Sequence, residues 1–264
     1  MQSKKIALGI EYLGTNYHGW QKQTSATLTI QAVIEKVLSK VADEEIKTNC
    51  AGRTDKGVHA FAQVIDFEIS SFREDGAWIK GANSLLPNDI KIVWVQTVKD
   101  SFHSRFSAIS RTYSYLIRNT KIPSALWANR SLLYQAELDC VSMQKAANLL
   151  IGEKDFSSFR SSGCQSNSPV REIYSIDVKK NGNFISVTIK ANAFLQNMVR
   201  IIVGTLLEIG SGSLNYKEMG DILNSKDRES AGKTASPDGL YFIGPLYDLK
   251  YQIPFILPDT FSVD

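Results

Sequence analysis

Cysteine and histidine are scarce in this 264-residue chain, with three of each. Cys50, Cys140 and Cys164 lie far apart, no C-x-x-C occurs, and no two histidines form a close pair. No zinc-ligand set is therefore expected, and an odd, sparse cysteine complement fits a reducing, cytoplasmic setting. Nucleotide signatures are missing too. Gly52 and Gly57 are not followed by the G-K-[ST] of a P-loop, and no G-x-G-x-x-G opens a helix after a strand. There is no nucleophile elbow and no Ser-His-Asp order. The longest apolar segment, around Phe194 to Ile209, is broken by Gln196, Asn197, Arg200 and Glu208. It is too polar to span a bilayer and reads as a core helix. Met1 to Lys5 leads into a strand pattern rather than a signal sequence. Neither a metal, a cofactor nor a membrane is expected as a partner.

What is present is ordinary globular composition, 43% hydrophobic and 22% charged, which allows one or two domains. The formal charge of +3 permits a polyanionic partner without requiring one.

The apolar periodicity predicts an α+β fold. Ile6, Leu8, Ile10 and Tyr12 alternate as a strand, and residues 14–23 carry glycines and aromatics without a period, as a loop does. Thr27 is a candidate N-cap for a helix whose stripe runs from Ile30 to Val41. Short strands flank Asp55. A helix over Phe72 to Leu86 stops before Pro87, and a strand follows from Ile90 to about Val98. The order β-α-β-β-α-β resembles a ferredoxin-like unit. The second half repeats it more loosely. A strand spans Ser110 to Asn119, a helix runs from an Asp139 cap to a stop at Gly152, and a hairpin turns at Asn181-Gly182. The apolar helix from Phe194 and a short helix around Tyr216 to Leu223 follow, then a mobile polar loop over Ser225 to Gly239 and a closing strand over Leu240 to Leu249. We place the halves at 1–105 and 106–264. No Pro/Gly linker separates them, so strands are expected to pair across the boundary.

The richest chemistry lies in Cys50-Ala51-Gly52-Arg53-Thr54-Asp55-Lys56-Gly57-Val58-His59-Ala60. Its glycines let the backbone bend and approach another group closely, so Asp55 is expected where a strand leaves the sheet. Asp-Lys-Gly is also ordinary turn chemistry, and local sequence alone favours that plainer role. His59 has the composition of a general base but reads more simply as structural. Asp66 and Glu68 alternate with apolar residues and read as a solvated strand face rather than a glycosidase pair. Basic residues interleave with aromatics from Phe102 to Ser107 and from Arg111 to Tyr115, a composition that suits phosphates and unstacked bases, although packed strand aromatics explain it equally. Arg200, inside an apolar helix, needs a partner if buried, and Asp55 is one candidate.

Several stretches together resemble the tRNA pseudouridine synthase A family over nearly the whole chain. They are Tyr17 to Gln21, Gly52 to Ala60, Arg105 to Ala108, Arg111 to Tyr115, Gly152 to Arg160, Lys190 to Arg200 and Gly239 to Tyr241. Lys56 departs from the alanine common at that place. The resemblance implies isomerisation of uridine to pseudouridine in the anticodon stem-loop of tRNA, at about positions 38, 39 and 40. It implies two α+β halves whose mixed, mainly antiparallel sheets join across a central RNA-binding cleft, and a homodimer. No cofactor is implied, and none is needed, because the reaction breaks N1–C1′, turns the uracil and joins C5 to C1′ without net gain or loss. Asp55 is implied as the catalytic carboxylate, and attack on C1′, attack on C6 and removal of a sugar proton all suit such a group. The target base must leave its stack. Tyr113 is implied as the active-site ring that stacks on it and can aid removal of the C5 proton, and Arg200 as the basic residue that holds Asp55 ionised and oriented. Arg53, Lys56, Arg105 and Arg111, with the loop from Lys226 to Lys233, are candidate RNA contacts. The rival readings are a tRNA-binding module without catalysis and a nucleoside hydrolase, which would need a second carboxylate.

Overall fold

The protein's structure, a computed structural model, describes residues 4–23, 28–71 and 73–255. In chain order the elements are β1 (Lys4–Tyr12), α1 (Ile30–Ala42), β2 (Asn49–Cys50), β3 (His59–Ile69), α2 (Ala82–Leu85), β4 (Ile90–Val98), β5 (Ala108–Asn119), β6 (Leu132–Tyr134), α3 (Cys140–Asn148), β7 (Gly152–Asp155), β8 (Val170–Asn181), β9 (Phe184–Ala191), α4 (Met198–Gly210), α5 (Glu218–Ser225) and β10 (Leu240–Tyr247). The α+β class is as expected, with mostly antiparallel strands. Among the described residues no helix is long and apolar enough to cross a membrane. The chain divides into two compact units, residues 4–111 with 242–255, and residues 112–241.

In the first unit the strand order is β4-β1-β3-β10, and β2 pairs with β3. The helical stripe of α1 buries Ile30, Ile34, Val37 and Leu38. Its N-cap is Thr29, whose hydroxyl accepts from Ala32 N–H at 3.4 Å. Thr27 lies outside the described residues. The expected helix over 72–86 is shorter. A π-helical turn, Ala77–Gly81, runs directly into α2, and Phe72 is outside the described residues. Arg73, just before it, instead uses its guanidinium on the Val41 and Ala42 carbonyls at the end of α1.

β3 corrects a second expectation. Glu68 is exposed, but Asp66 is completely buried. The middle of β3 is buried on both faces, and the loop carrying His103 and Ser104 meets Asp66. The Asp66 carboxylate is compensated by Asn49 Nδ2 at 3.1 Å, Ser104 N–H at 2.7 Å and the Lys5 ammonium at 3.7 Å.

The second unit has the order β5-β9-β8-β7, with β6 parallel to β5. The β8–β9 hairpin closes with Asn181 opposite Phe184. Asp139 caps α3 by accepting from Val141 and Ser142 N–H. α4 starts at Met198, not Phe194, because Asn197 takes a left-handed φ of 60° that a helix interior cannot contain. Apart from Arg200 and Glu208 the helix is buried all round, as its composition requires. The segment after α5 is docked rather than loose. Ala235 N–H donates to Arg200 O at 3.1 Å and Gly232 N–H to Thr205 Oγ1 at 3.0 Å.

Candidate active-site elements

Asp55 is half-buried in the bend between β2 and β3. Val58 N–H donates to its carbonyl at 3.1 Å, closing a tight turn with Gly57 at φ 82°. A left-handed third position is the glycine-demanding feature of a type II turn. The loop after β1 braces this turn. Trp20 N–H donates to Thr54 O at 2.9 Å, and Gly14 lies so close that a Cβ there would sit 1.9 Å from Val58 O. Gly14 N–H also donates to His59 Nδ1 at 3.0 Å. His59 is buried and spends that nitrogen on the backbone, which gives it the structural role.

On its other side the bend is held by buried polar side chains. Gln63, fully buried, accepts from Gly52 N–H at 3.3 Å and donates to Gly52 O at 2.6 Å, acting as a substitute peptide group. Thr54 shares a 2.7 Å hydrogen bond with the Tyr12 hydroxyl, whose burial pushes its pKa well up. The carboxylate therefore stands on a backbone fixed from both sides.

Beside the bend the structure gathers three of the expected cations. Burial pushes the Cys50 thiol up to about 12, against the opposing pull of Arg53, Arg105 and Arg111. The thiol thus stays protonated at neutral pH and is no nucleophile there. Arg53, Lys56 and Arg105 are exposed. Arg111 is engaged with the scaffold: its guanidinium donates to Ala51 O at 3.1 Å, Ala108 O at 3.3 Å and the Arg105 carbonyl. It ties the strand before the bend to the loop carrying Arg105.

Tyr113 and Arg200 belong to the second unit. Tyr113, on β5, is 8% exposed and meets Phe194 edge-on, with ring centroids 5.0 Å apart. Arg200 is half-buried in the first turn of α4. Its Nε donates to Ala235 O at 2.7 Å and its Nη1 to Asn197 Oδ1 at 2.9 Å. Asn197 in turn donates to Ser161 Oγ at 2.7 Å. Lys226, one of the candidate loop cations, lies 3.2 Å from the Asp155 carboxylate. Among the described residues no cluster of His, Cys, Asp or Glu is arranged to hold a metal ion.

The family model described as tRNA pseudouridine synthase matches residues 9–107 and 146–248, which include the Asp55 bend and Arg200. The chain belongs to the tRNA pseudouridine synthase family. It is 47% identical over 254 residues to the tRNA pseudouridine synthase A of Hydrogenovibrio crunogenus, covering 96% of this chain and 97% of that one. It is 46% identical to that of Shewanella sediminis, covering 95% of each. Among solved structures, a Cbf5-Nop10-Gar1 complex matches with a TM-score of 0.34 and 12% identity over 90% of this chain, which spans about half (48%) of that one. That likeness is too slight to bear on fold or function.

For this member of the tRNA pseudouridine synthase family, sequence reasoning passed over Gln63, Tyr12 and Asn197. Gln63 carried a usable signal. It is the one amide inside the apolar run Phe61 to Ile65, and a polar residue in a buried strand needs a partner. Asn197 carried one too, since asparagine tolerates a left-handed backbone at a helix start.

Proposed function

We propose that this chain is an isomerase that converts uridine to pseudouridine in tRNA, in the anticodon stem-loop at about positions 38, 39 and 40, with Asp55 as the catalytic carboxylate. The observation that carries the assignment of Asp55 is its setting: a half-buried carboxylate on a turn whose backbone is fixed by Gly57, Trp20, Gly14 and Gln63. Preorganisation of that kind serves a group that must meet a flipped base at a set distance and angle. Family membership supports the substrate.

In this reading Tyr113 and Arg200 act on the same uridine as Asp55, Tyr113 by packing on the uracil and Arg200 as the cationic neighbour. Arg53, Lys56 and Arg105 contact RNA, while Arg111 contributes by holding the Arg105 loop. The half at 1–105 supplies the aspartate and the half at 106–264 the tyrosine and arginine, in a two-half ferredoxin-like arrangement around an RNA-binding cleft. The resemblance supports a cytoplasmic homodimer.

The test is tritium release from C5-labelled uridine in a tRNA transcript. Wild-type protein releases it and Asp55→Ala does not, while tRNA binding by the variant is retained. Release at the wild-type rate by Asp55→Ala would remove the catalytic assignment. Release of free uracil instead of a mass-neutral product would point to a hydrolase.

A further inference from the structure

We propose that Phe106 is a stacking platform for an unpaired base of the RNA, presented on a loop that the buried Asp66 carboxylate holds in place. The proposal rests on the reading of the chain as a tRNA-modifying enzyme and adds to it a base contact outside the Asp55 turn.

Phe106 is 75% exposed. A single exposed apolar side chain is ordinary and carries nothing alone. What sets Phe106 apart is the rigidity of its loop and the charge around it. Phe102 anchors one end, fully buried and edge-on to Tyr247 at 5.1 Å. Ser104 N–H donates to Asp66 at 2.7 Å and Ser104 O accepts from the Tyr247 hydroxyl at 2.6 Å. His103 and Ser107 bond each other twice, His103 N–H to Ser107 Oγ at 3.0 Å and Ser107 N–H to His103 O at 2.9 Å. Arg105 N–H donates to His103 Nδ1 at 3.1 Å, and Arg105 O accepts from Arg111. A loop with its backbone groups satisfied in this way keeps its shape, so the ring is held out in a defined pose.

The ring itself is restrained. Its centroid lies 4.4 Å from that of the His103 imidazole, and the Arg105 guanidinium sits 5.5 Å from it. A base laid on the exposed part of the ring would pack on an aromatic already held against the His103 imidazole at a tilt of 48°, with the Arg105 guanidinium at hand for the adjoining phosphate. Arg111, hydrogen-bonded to the Arg105 carbonyl, brings a second cation to this loop. An aromatic platform interleaved with arginines is the composition that binds unstacked nucleotides.

The experiment compares Phe106→Ala and Phe106→Trp with wild type in tRNA binding and in kcat/KM for tRNA. Loss of one base stack predicts a fall of about 5- to 150-fold for Phe106→Ala and near-wild-type values for Phe106→Trp. The slope of log affinity against log salt is expected to stay unchanged in Phe106→Ala, whereas Arg105→Ala should lower it by about one. The side chain is exposed, so the Tm of Phe106→Ala should match wild type. An abasic substitution walked through the RNA should find one position at which base loss and Phe106→Ala are not additive. Affinity within twofold of wild type for Phe106→Ala, or additivity at every position, would overturn the proposal. So would a changed sedimentation coefficient of the RNA-free protein, which would make Phe106 a contact between copies. A wild-type protein that left tRNA uridine unmodified would instead refute the functional reading, and the binding comparison would still stand.

Discussion

The Asp55 bend and the start of α4 present opposite solutions to placing one charged side chain. The turn that carries Asp55 is fixed through its backbone. It is closed by Val58 and braced by Trp20, Gly14 and Gln63, and most of those partners act on peptide groups rather than on the carboxylate. Arg200 is placed by its own side chain, through the Ala235 carbonyl 35 residues away and the Asn197 amide one turn before it. A fixed backbone leaves a short carboxylate little room to move. A long guanidinium has four rotatable bonds, so fixing it takes hydrogen bonds to its own nitrogens. The first solution resists surface changes and fails when a buried polar group is lost. The second depends on the acceptors that hold the guanidinium.

The sharpest way to break the comparison is Gln63→Ala. Both Gly52 peptide groups lose their partner in a part-buried site, at a cost of up to about 1–3 kcal/mol for each group that water does not reach. We expect a clear fall in the urea midpoint, and a fall in kcat larger than the rise in KM because Asp55 loses its fixed support. A variant with normal stability and normal kcat would show that the bend does not depend on this clamp. Asn197→Ala comes next. It removes the acceptor of Arg200 Nη1 and the donor to Ser161 Oγ, at a φ of 60° that alanine adopts less readily than asparagine. Some stability should be lost to the left-handed backbone as well as to the missing hydrogen bonds. Asn197→Gly separates the two contributions, restoring stability but not the hold on Arg200, so its kcat should remain low. If Asn197→Gly recovers both, the Asn197 acceptor is not needed to place Arg200.

These two regions also differ in how far they could be read from sequence. The Asp55 bend was legible because its causes are local: Gly57 two residues on, alternating strands on both sides, and turn composition between them. The clamp was not, because Gln63 acts across β3 on Gly52 and its amide resembles any other polar residue until the strand is known to be buried on both faces. The same cause misplaced Asp66, since alternation marks a face as polar but not as solvated. On α4, the apolar run announced a buried helix but not its first residue, which depends on the backbone of Asn197. That Arg200 leans on Ala235 depends on how the segment after α5 docks, and no periodicity reports that. Tyr113 entered as a site residue through family resemblance, whereas Arg200 was already marked by its place inside an apolar helix.

Gly57→Ala perturbs the bend more gently. The added methyl is disfavoured at φ 82°, at a cost of about 1–2 kcal/mol, but the clamp and the brace stay in place. We expect a lower Tm with kcat reduced less than in Gln63→Ala. A larger loss of kcat than in Gln63→Ala would mean that the turn itself, rather than its supports, sets the carboxylate.

The smallest expected effect is in the second unit, at Asp155. The Ser157 hydroxyl at 2.6 Å is the main influence holding this carboxyl below its ordinary pKa, assisted by Ser157 N–H and by Lys226. A depressed folded-state pKa means that the unfolded chain binds the proton more readily. The stabilisation is therefore present above the ordinary carboxyl range, near pH 4, and is lost as pH falls through the lower folded-state value. Wild type should lose more of its urea midpoint between pH 6 and 3 than Asp155→Asn does, and equal losses would exclude the contribution. The group is partly open to solvent, so the difference is small and shrinks further with salt. The pairing also bears on RNA. Lys226 is held by a carboxylate in this structure, so Asp155→Asn should free its charge and raise tRNA affinity slightly at low salt. Unchanged affinity would remove Lys226 from the set of candidate phosphate contacts and leave RNA binding to the arginines beside the Asp55 bend.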